Sequence, residues 1–268
     1  MAVHNHFIAS IMKLTIIKVG GKIVEDPTTL NQLLSDFALI EGPKLLVHGG
    51  GRSATKMAEK LGVESKMVNG RRITDAETLK VVTMVYGGLV NKNIVAGLQA
   101  KHVNAIGLTG ADMNVILSDK RPVVTTDYGF VGDVKRVDGQ TLSHIIRAGL
   151  VPVMAPLTHD GKGSMLNTNA DTIASETAKA LAPFFDVNLV YCFEKKGVLS
   201  NPDDETSVIP VITPNSFQTL VANGTIQDGM IPKLENALAA VKAGVSKVII
   251  KCASDIALET GTAISCVE

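Results

Sequence analysis

The sequence predicts an α/β sandwich built on a parallel sheet. Three observations carry this. Short apolar runs recur along the chain, bounded by breakers; most are apolar throughout instead of alternating; and helical patterns lie between them. Strands buried on both faces belong to a covered parallel sheet, and strands that alternate with helices form βαβ units. The 268 residues, 46% hydrophobic and 19% charged, are enough for one large domain or two small ones with a real core.

The strand candidates, in order, are Leu14–Val19, Lys44–His48, Asn104–Thr109, Leu150–Pro156, Val187–Phe193 and Ser246–Lys251. Helical spacing covers Thr28–Ile40, then Ser53–Leu61 after a glycine run, then the long Asp75–Ala100 with Gly87-Gly88 as a candidate kink. Thr172–Ala182 and Pro232–Ala243 follow, the latter opening on a proline suited to the first helical position. Between Val115 and Gly139 the rhythm breaks, and "VILSDKRPVVTTDYGFVGDVKRVDG" reads as short β-hairpins passing over a site. "NPDDETSVIPVITPN" reads as a loop. A soft boundary near Pro183 separates residues 1–182 from 183–268.

Composition excludes several functions. The formal net charge is zero and Trp is absent, so neither a phosphate-backbone footprint nor the usual base-stacking platform is expected, and no nucleic acid partner. Cys192, Cys252 and Cys266 form no C-x-x-C pair and read as buried small hydrophobes in a reducing, cytoplasmic setting. No apolar stretch is read as approaching the ~18 residues of a membrane span. "MAVHNHFIASIMK" lacks a basic n-region, so no signal peptide is expected, and His4 and His6 read as a mobile tail.

Two strand–glycine–helix junctions stand out, "IIKVGGK" and "LLVHGGGRS". Glycines there let backbone N–H groups approach an anion closely. An ordinary tight turn accounts for either one alone. Neither is a Walker loop, and no G-x-G-x-x-G follows the first strand, which disfavours a dinucleotide oxidoreductase. In "NGRRITD", from Asn69 to Asp75, Arg71 and Arg72 are either solvated or a fork for a carboxylate. "NTNAD" offers Thr168 or Asn169 as a helix cap with Asp171 in the first turn, yet holds more polar side chains than a cap requires. "DGMIPK" sets Lys233 in a first helical turn, against the helix dipole, which points to a nearby anion or to simple solvation.

Taken in order, "KVGG", "HGGG", "NGRRIT", "NTNAD" and "DGMIPK" resemble the amino acid kinase family, from about Leu14 to the C-terminus. The resemblance implies a three-layer αβα sandwich with a mainly parallel central sheet. Of the family's branches, the one acting on N-acylated glutamate fits better than the aspartokinase, uridylate kinase or carbamate kinase branches. There the enzyme moves the γ-phosphoryl of ATP, bound with Mg²⁺, to the glutamate side-chain carboxylate in arginine biosynthesis. Position by position, Lys18 and Lys233 resemble the lysines that neutralise the transferring phosphoryl, and Asp171 the acid that positions them. Gly20, Gly21, Gly50 and Gly51 resemble the loops that hold phosphoryl and substrate oxygens, and Arg72 and Asn167 the residues that hold the acylated amino acid. Residues 1–182 then correspond to an acyl-amino-acid lobe and 183–268 to a nucleotide lobe of one continuous domain. The acceptor carboxylate, with a reference pKa of about 4.3, is already ionised, so no general base and no protein metal ligands are needed.

The chain departs from the family pattern at three places. "FEKKGVL" replaces the usual D-V-x-G-V/I-L at the nucleotide site, leaving Glu194, Lys196 and Gly197 as the candidate contacts. The segment ahead of the first strand and the C-terminal connection are shorter than usual, which implies a homodimer insensitive to arginine. "NGRR" replaces NGLR, so that Arg71 stands at an apolar position beside the acyl group. A guanidinium there either turns to solvent or pairs with a second carboxylate, as in a succinyl group. Competing functions are a kinase of free glutamate or another small acid, and a ligand-sensing domain without chemistry.

Overall fold

The structure, a computed structural model, describes residues 11–68, 70–227, 229–256 and 258–266. The readings made for His4, His6, Asn69 and Asp228 lie outside the described residues. In chain order the elements are β1 Lys13–Val19, α1 Gly21–Glu25, α2 Pro27–Leu39, β2 Lys44–His48, α3 Gly51–Lys60, β3 Met67–Val68, β4 Arg71–Arg72 and α4 Ala76–Val82. A π-helix Thr83–Val90 joins α4 to α5 Asn91–Gln99, followed by β5 Ala105–Leu108, β6 Ile116–Lys120, β7 Gly132–Val137 and α6 Gly139–Arg147. Then come β8 Val151–Met154, β9 Leu157–His159, β10 Met165–Asn167, α7 Ala170–Leu181 and β11 Asp186–Phe193. The chain closes with β12 Val211–Ile212, α8 Pro214–Ala222, α9 Met230–Lys242, β13 Lys247–Cys252 and β14 Thr262–Ile264.

An eight-stranded sheet, ordered β12-β14-β13-β11-β1-β2-β8-β5, forms the middle layer. From β13 to β5 every pair is parallel, while β14 runs antiparallel to β13. The expected mainly parallel αβα sandwich is therefore the observed one. Strand alternation decides which layer each side chain enters. In β1, Leu14 and Ile16 join the core under α6, α7 and α9, and Ile17 and Val19 join the core under α2, α3, α4 and α5. Lys18 has the parity of Leu14 and Ile16, so it enters the α7 and α9 layer. His48, on β2, shares parity with Leu46 and enters the opposite layer.

The hairpin excursion is real and larger than expected. β6 and β7 pair antiparallel with a register shift between Leu117 and Ser118, and β9 and β10 complete a four-stranded sheet. Other expectations change in detail. Helix α7 begins at Ala170, because Asn169 accepts from Asp171 N at 2.7 Å and from Thr172 N at 3.2 Å. Helix α9 begins at Met230, so Pro232 occupies its third position, where a missing N–H costs nothing. The Gly87-Gly88 pair falls within one continuous helical stretch, Ala76–Gln99. It lies in the π-helix, where the Asn91 N–H reaches the Tyr86 carbonyl five residues back. A five-residue turn brings Tyr86 and Asn91 to one face. Helices α1, α6 and α8 were not anticipated, although Asp138 caps α6 through Thr141 N at 2.9 Å and Thr213 forms a capping box on α8.

Two composition readings need correction. The continuous helical stretch Ala76–Gln99 is long and apolar enough to cross a membrane by length and composition. Here it buries Val81, Val82, Val85, Ile94 and Leu98 against the sheet, which accounts for that apolarity. Of the cysteines only Cys192 is buried; Cys252 is half-buried and Cys266 exposed, because both fall at or beyond the end of a strand.

Candidate active site

The C-terminal ends of β1, β2 and β11 meet the N-termini of α3, α7 and α9. Lys18 points from β1 into the α7 layer, and its Nζ lies 2.7 Å from Asp171 Oδ1. Lys233, from the first turn of α9, lies over the Phe193 ring at 4.8 Å from its centroid. The Asp171 carboxylate lies between these two cations. Burial pushes its pKa up, but Lys18 and then Lys233 more than offset this, and the group lies below the ordinary carboxylate value. Burial pushes Lys233 down, with Lys18 adding to the fall and Asp171 and Glu194 opposing it. The helix dipole at the start of α7 adds to the stability of the Asp171 charge.

The two glycine turns stack on each other through backbone alone. Gly49 N donates to Val19 O at 3.0 Å. A Cβ on Gly49 would stand 3.2 Å from Gly21 N, and one on Gly50 would stand 3.0 Å from the Tyr86 ring. Glycine is required there by proximity. Gly20 and Gly21 open α1, and Gly50 and Gly51 open α3.

Behind the second turn, His48 is fully buried. Its Nδ1 lies 2.7 Å from the Gly49 carbonyl, so Nδ1 carries the proton. Asn91 Nδ2 donates to Nε2 at 3.1 Å and to the Val153 carbonyl at 2.9 Å. Burial pushes the His48 pKa down to about 4, with the Gly49 carbonyl partly opposing. The ring is neutral and holds the turn.

On one side of the Lys18–Asp171–Lys233 cluster is a cavity of about 220 Å³, lined by Gly50, Gly51, Arg71, Arg72, Arg121 and Asn167 among others. Ala170, beside Asp171, also lines it. Arg72 is buried and anchored: Nη1 donates to Ser65 Oγ at 2.7 Å, and Nη2 to Gly51 O at 2.8 Å and Thr55 Oγ1 at 2.7 Å. Asn167 Nδ2 donates to Thr74 Oγ1 at 3.0 Å. Arg71 is exposed at the cavity edge. Arg121 is fixed by Asp133, with Nε 3.1 Å from Oδ1, while its buried Nη1 has no hydrogen-bond partner.

On the other side is a cavity of about 560 Å³, lined by Phe193, Lys195, Gly197, Gly224, Gln227 and Met230 among others. Gly197 lines it but also packs tightly, since a Cβ there would meet Thr262 Oγ1 at 2.8 Å. Lys196 is exposed and outside the lining; Lys195 faces the cavity instead. β11 ends at Phe193 and residues 194–197 bend, so the facing of the two lysines is set by the bend. Glu194 pairs with Lys22 at 3.1 Å. Residues that the sequence reading did not single out are Lys22, His48, Tyr86, Asn91 and Arg121. Lys22 and His48 flank the two quoted glycine turns, so adjacency was an available signal. Arg121, in the hairpin, carried none.

A cation pair held by a buried acid, set between two cavities and beside paired glycine turns, is the arrangement of a group-transfer enzyme handling anions. The chain belongs to the amino acid kinase family, whose profile matches residues 13–252. Its relatives narrow the comparison. The acetylglutamate kinase of Phocaeicola vulgatus is 75% identical over 252 residues, covering 94% of this chain and 98% of that protein. The acetylglutamate kinase of Bacteroides fragilis is 73% identical, covering 94% and 97%. Among solved structures, smu.665 from Streptococcus mutans superposes with a TM-score of 0.77 at 31% identity, covering 94% of this chain and 98% of that one.

Proposed function

We propose that the chain is an N-acyl-L-glutamate 5-kinase of arginine biosynthesis, moving the γ-phosphoryl of ATP to the glutamate side-chain carboxylate. The observation that carries this is the Lys18–Asp171–Lys233 cluster between two cavities. Two anions must meet there. Lys18 and Lys233 offset their repulsion and the charge that spreads over the phosphoryl oxygens in the transition state. Asp171 lies against Lys18 and acts on Lys233, and so aims both ammonium groups. Gly20 and Gly21 approach the phosphoryl group, and Gly50 and Gly51 the acceptor. Arg72 and Asn167 orient the acylated amino acid. Gly197 and Lys195 border the nucleoside, with Glu194 at the phosphates. Residues 1–182 thus hold the acceptor and 183–268 the nucleotide.

The turns suit a polyphosphate, because a Cβ on Gly51 would meet nothing within 4 Å and the backbone N–H groups there face open space that a side chain would fill. Among the described residues no three His, Cys, Asp or Glu side chains cluster as a metal site. Mg²⁺ would be held chiefly by the nucleotide's own oxygens and would add neutralising charge. The test is ATP-dependent acyl phosphate formation trapped by hydroxylamine, comparing N-acetylglutamate, N-succinylglutamate and free glutamate. Product from either acylated substrate is expected; product from none sinks the reading in favour of a ligand-sensing domain.

A finer reading concerns the acyl group. The first cavity has Arg71 at its edge and the buried, unpaired Arg121 Nη1 within its lining, beyond the Arg72 that serves the amino acid. A second carboxylate on the acyl group would satisfy both. Arg71→Leu is expected to lower kcat/KM for N-succinylglutamate by roughly 10- to 100-fold, the worth of a charge-assisted hydrogen bond. The N-acetylglutamate value should change by less than about threefold. Equal losses on both substrates would count against it.

We also propose a homodimer. Met84 and Leu89 are exposed apolar side chains on the Ala76–Gln99 stretch, 54% and 49% accessible, and a second copy would cover them. Gel filtration is expected to give twice the chain mass with no shift on adding arginine; a monomer or hexamer rejects it.

A further inference from the structure

Lys22 follows the first glycine turn, and its Nζ lies 3.1 Å from Glu194 Oε2, a partner 172 positions away. The two side chains are 49% and 47% exposed. An ion pair so exposed contributes only about 0–1 kcal/mol, so little opposes its opening. Its place in the cleft matters more. Glu194 also acts on Lys233, Lys233 on Asp171, and Asp171 on Lys18. Charges therefore alternate across the floor of the cleft, from Lys22 through Glu194, Lys233 and Asp171 to Lys18.

Phe193 and Lys195, on either side of Glu194, both line the larger cavity. Gly21, next to Lys22, touches the Gly49–Gly51 turn. A polyphosphate running from that cavity to Lys18 and Lys233 passes over the Lys22–Glu194 pair. A carboxylate there repels it, whereas an ammonium on a four-carbon stem is free to turn toward it. Lys18 and Lys233 are held from below by Asp171 at the transferring group. Lys195, paired with Glu205 at 3.5 Å, lines the cavity on the nucleoside side of Glu194. Lys22, directly after Gly20 and Gly21, is the exposed cation placed at the glycine turn, toward the phosphates that stay with the nucleoside.

We propose that Lys22 is a nucleotide-binding residue, paired with Glu194 and passed to the non-transferred phosphates when nucleotide binds. The inference rests on the kinase reading above. Because the contact is to phosphates that remain after transfer, it belongs to ADP as well as to ATP.

The experiment is calorimetric titration of the full chain with ADP and Mg²⁺ at two salt concentrations, with N-acetylglutamate titrated separately. Lys22→Met is expected to weaken ADP by roughly 10-fold, flatten its salt dependence and leave the acylated ligand unchanged. Lys22→Arg should restore most of the affinity, and Glu194→Gln should tighten ADP a few-fold by removing a competing carboxylate. ADP binding by Lys22→Met within about twofold of the unaltered protein overturns the Lys22 role alone. Failure of the unaltered protein to bind ADP overturns the kinase reading, and this role with it.

Discussion

Asp171→Asn is expected to lower turnover by roughly 10²- to 10³-fold, the scale seen when one preorganised electrostatic group is removed from a transition state. The argument follows from burial. Lys18 is buried, Asp171 and Lys233 are partly buried, and the Asp171 carboxylate acts on both cations. An amide of the same shape leaves two like charges together in low dielectric. The two cations then repel each other and are no longer aimed at the transferring phosphoryl by a shared anion. Lys233 is the more affected, since burial lowers its pKa and Asp171 is the main group opposing that. Removing one partner of a buried pair also costs about 3–5 kcal/mol of stability. Turnover is therefore measured well below the variant's melting temperature, beside calorimetric ADP binding. Turnover within about fivefold of the parent would mean that Asp171 is only a helix-cap acid.

The second large effect concerns acid stability. The His48 pKa is about 4 in the fold, against 6.5 when solvated. A depressed value means that the unfolded chain binds the extra proton first. Stability is full above about pH 6.5, is lost as the pH falls, and bottoms out near pH 4. The whole window is worth about 3 kcal/mol, of which about 2 kcal/mol is lost between about pH 7 and pH 5. The lowered carboxylates Asp26, Asp75, Asp138, Asp160 and Asp204 start from 3.8, so their own losses fall below this window. Urea unfolding at the two pH values checks it. His48→Gln, which cannot titrate, should flatten the difference whatever its absolute stability. An unchanged slope in that variant would assign the acid sensitivity elsewhere.

The sandwich was legible because its six long strand candidates are almost uninterrupted in Val, Ile and Leu, and a strand buried on two faces has no other composition available. The cation–acid cluster was legible for a different reason. Lys18, Asp171 and Lys233 each end or begin an element, and side chains at the C-terminal edge of a parallel sheet converge. The cavity chemistry was less legible. Arg121 sits in a hairpin whose register depends on a bulge after Leu117, and no local pattern fixes which way a bulged strand aims its side chains. Lys195 and Lys196 were exchanged because they follow the end of β11 in a bend, where no periodic pattern fixes which side chain faces the cavity. The π-helix was invisible for a related reason. Its five-residue turn serves contacts from Tyr86 and Asn91 to a loop about forty positions earlier, and helical periodicity reports only the average turn.

The order in which a ribosome delivers this chain bears on the glycine turn that follows β1. That strand is made well before its neighbour on one side, β11, which arrives only with Asp186–Phe193, and Lys233 follows later still. A nascent chain therefore carries the turn, Lys18 and Lys22 for most of its synthesis with neither Asp171 nor Glu194 beside them. Pairings so distant in sequence are slow to close. No chain that stops short of α9 can assemble the cluster, and nucleotide capture begins only after Lys233 has been made. A ligand that binds the finished cleft then acts as a latch on the last strands to dock, and refolding measured with and without ADP should differ in its final phase.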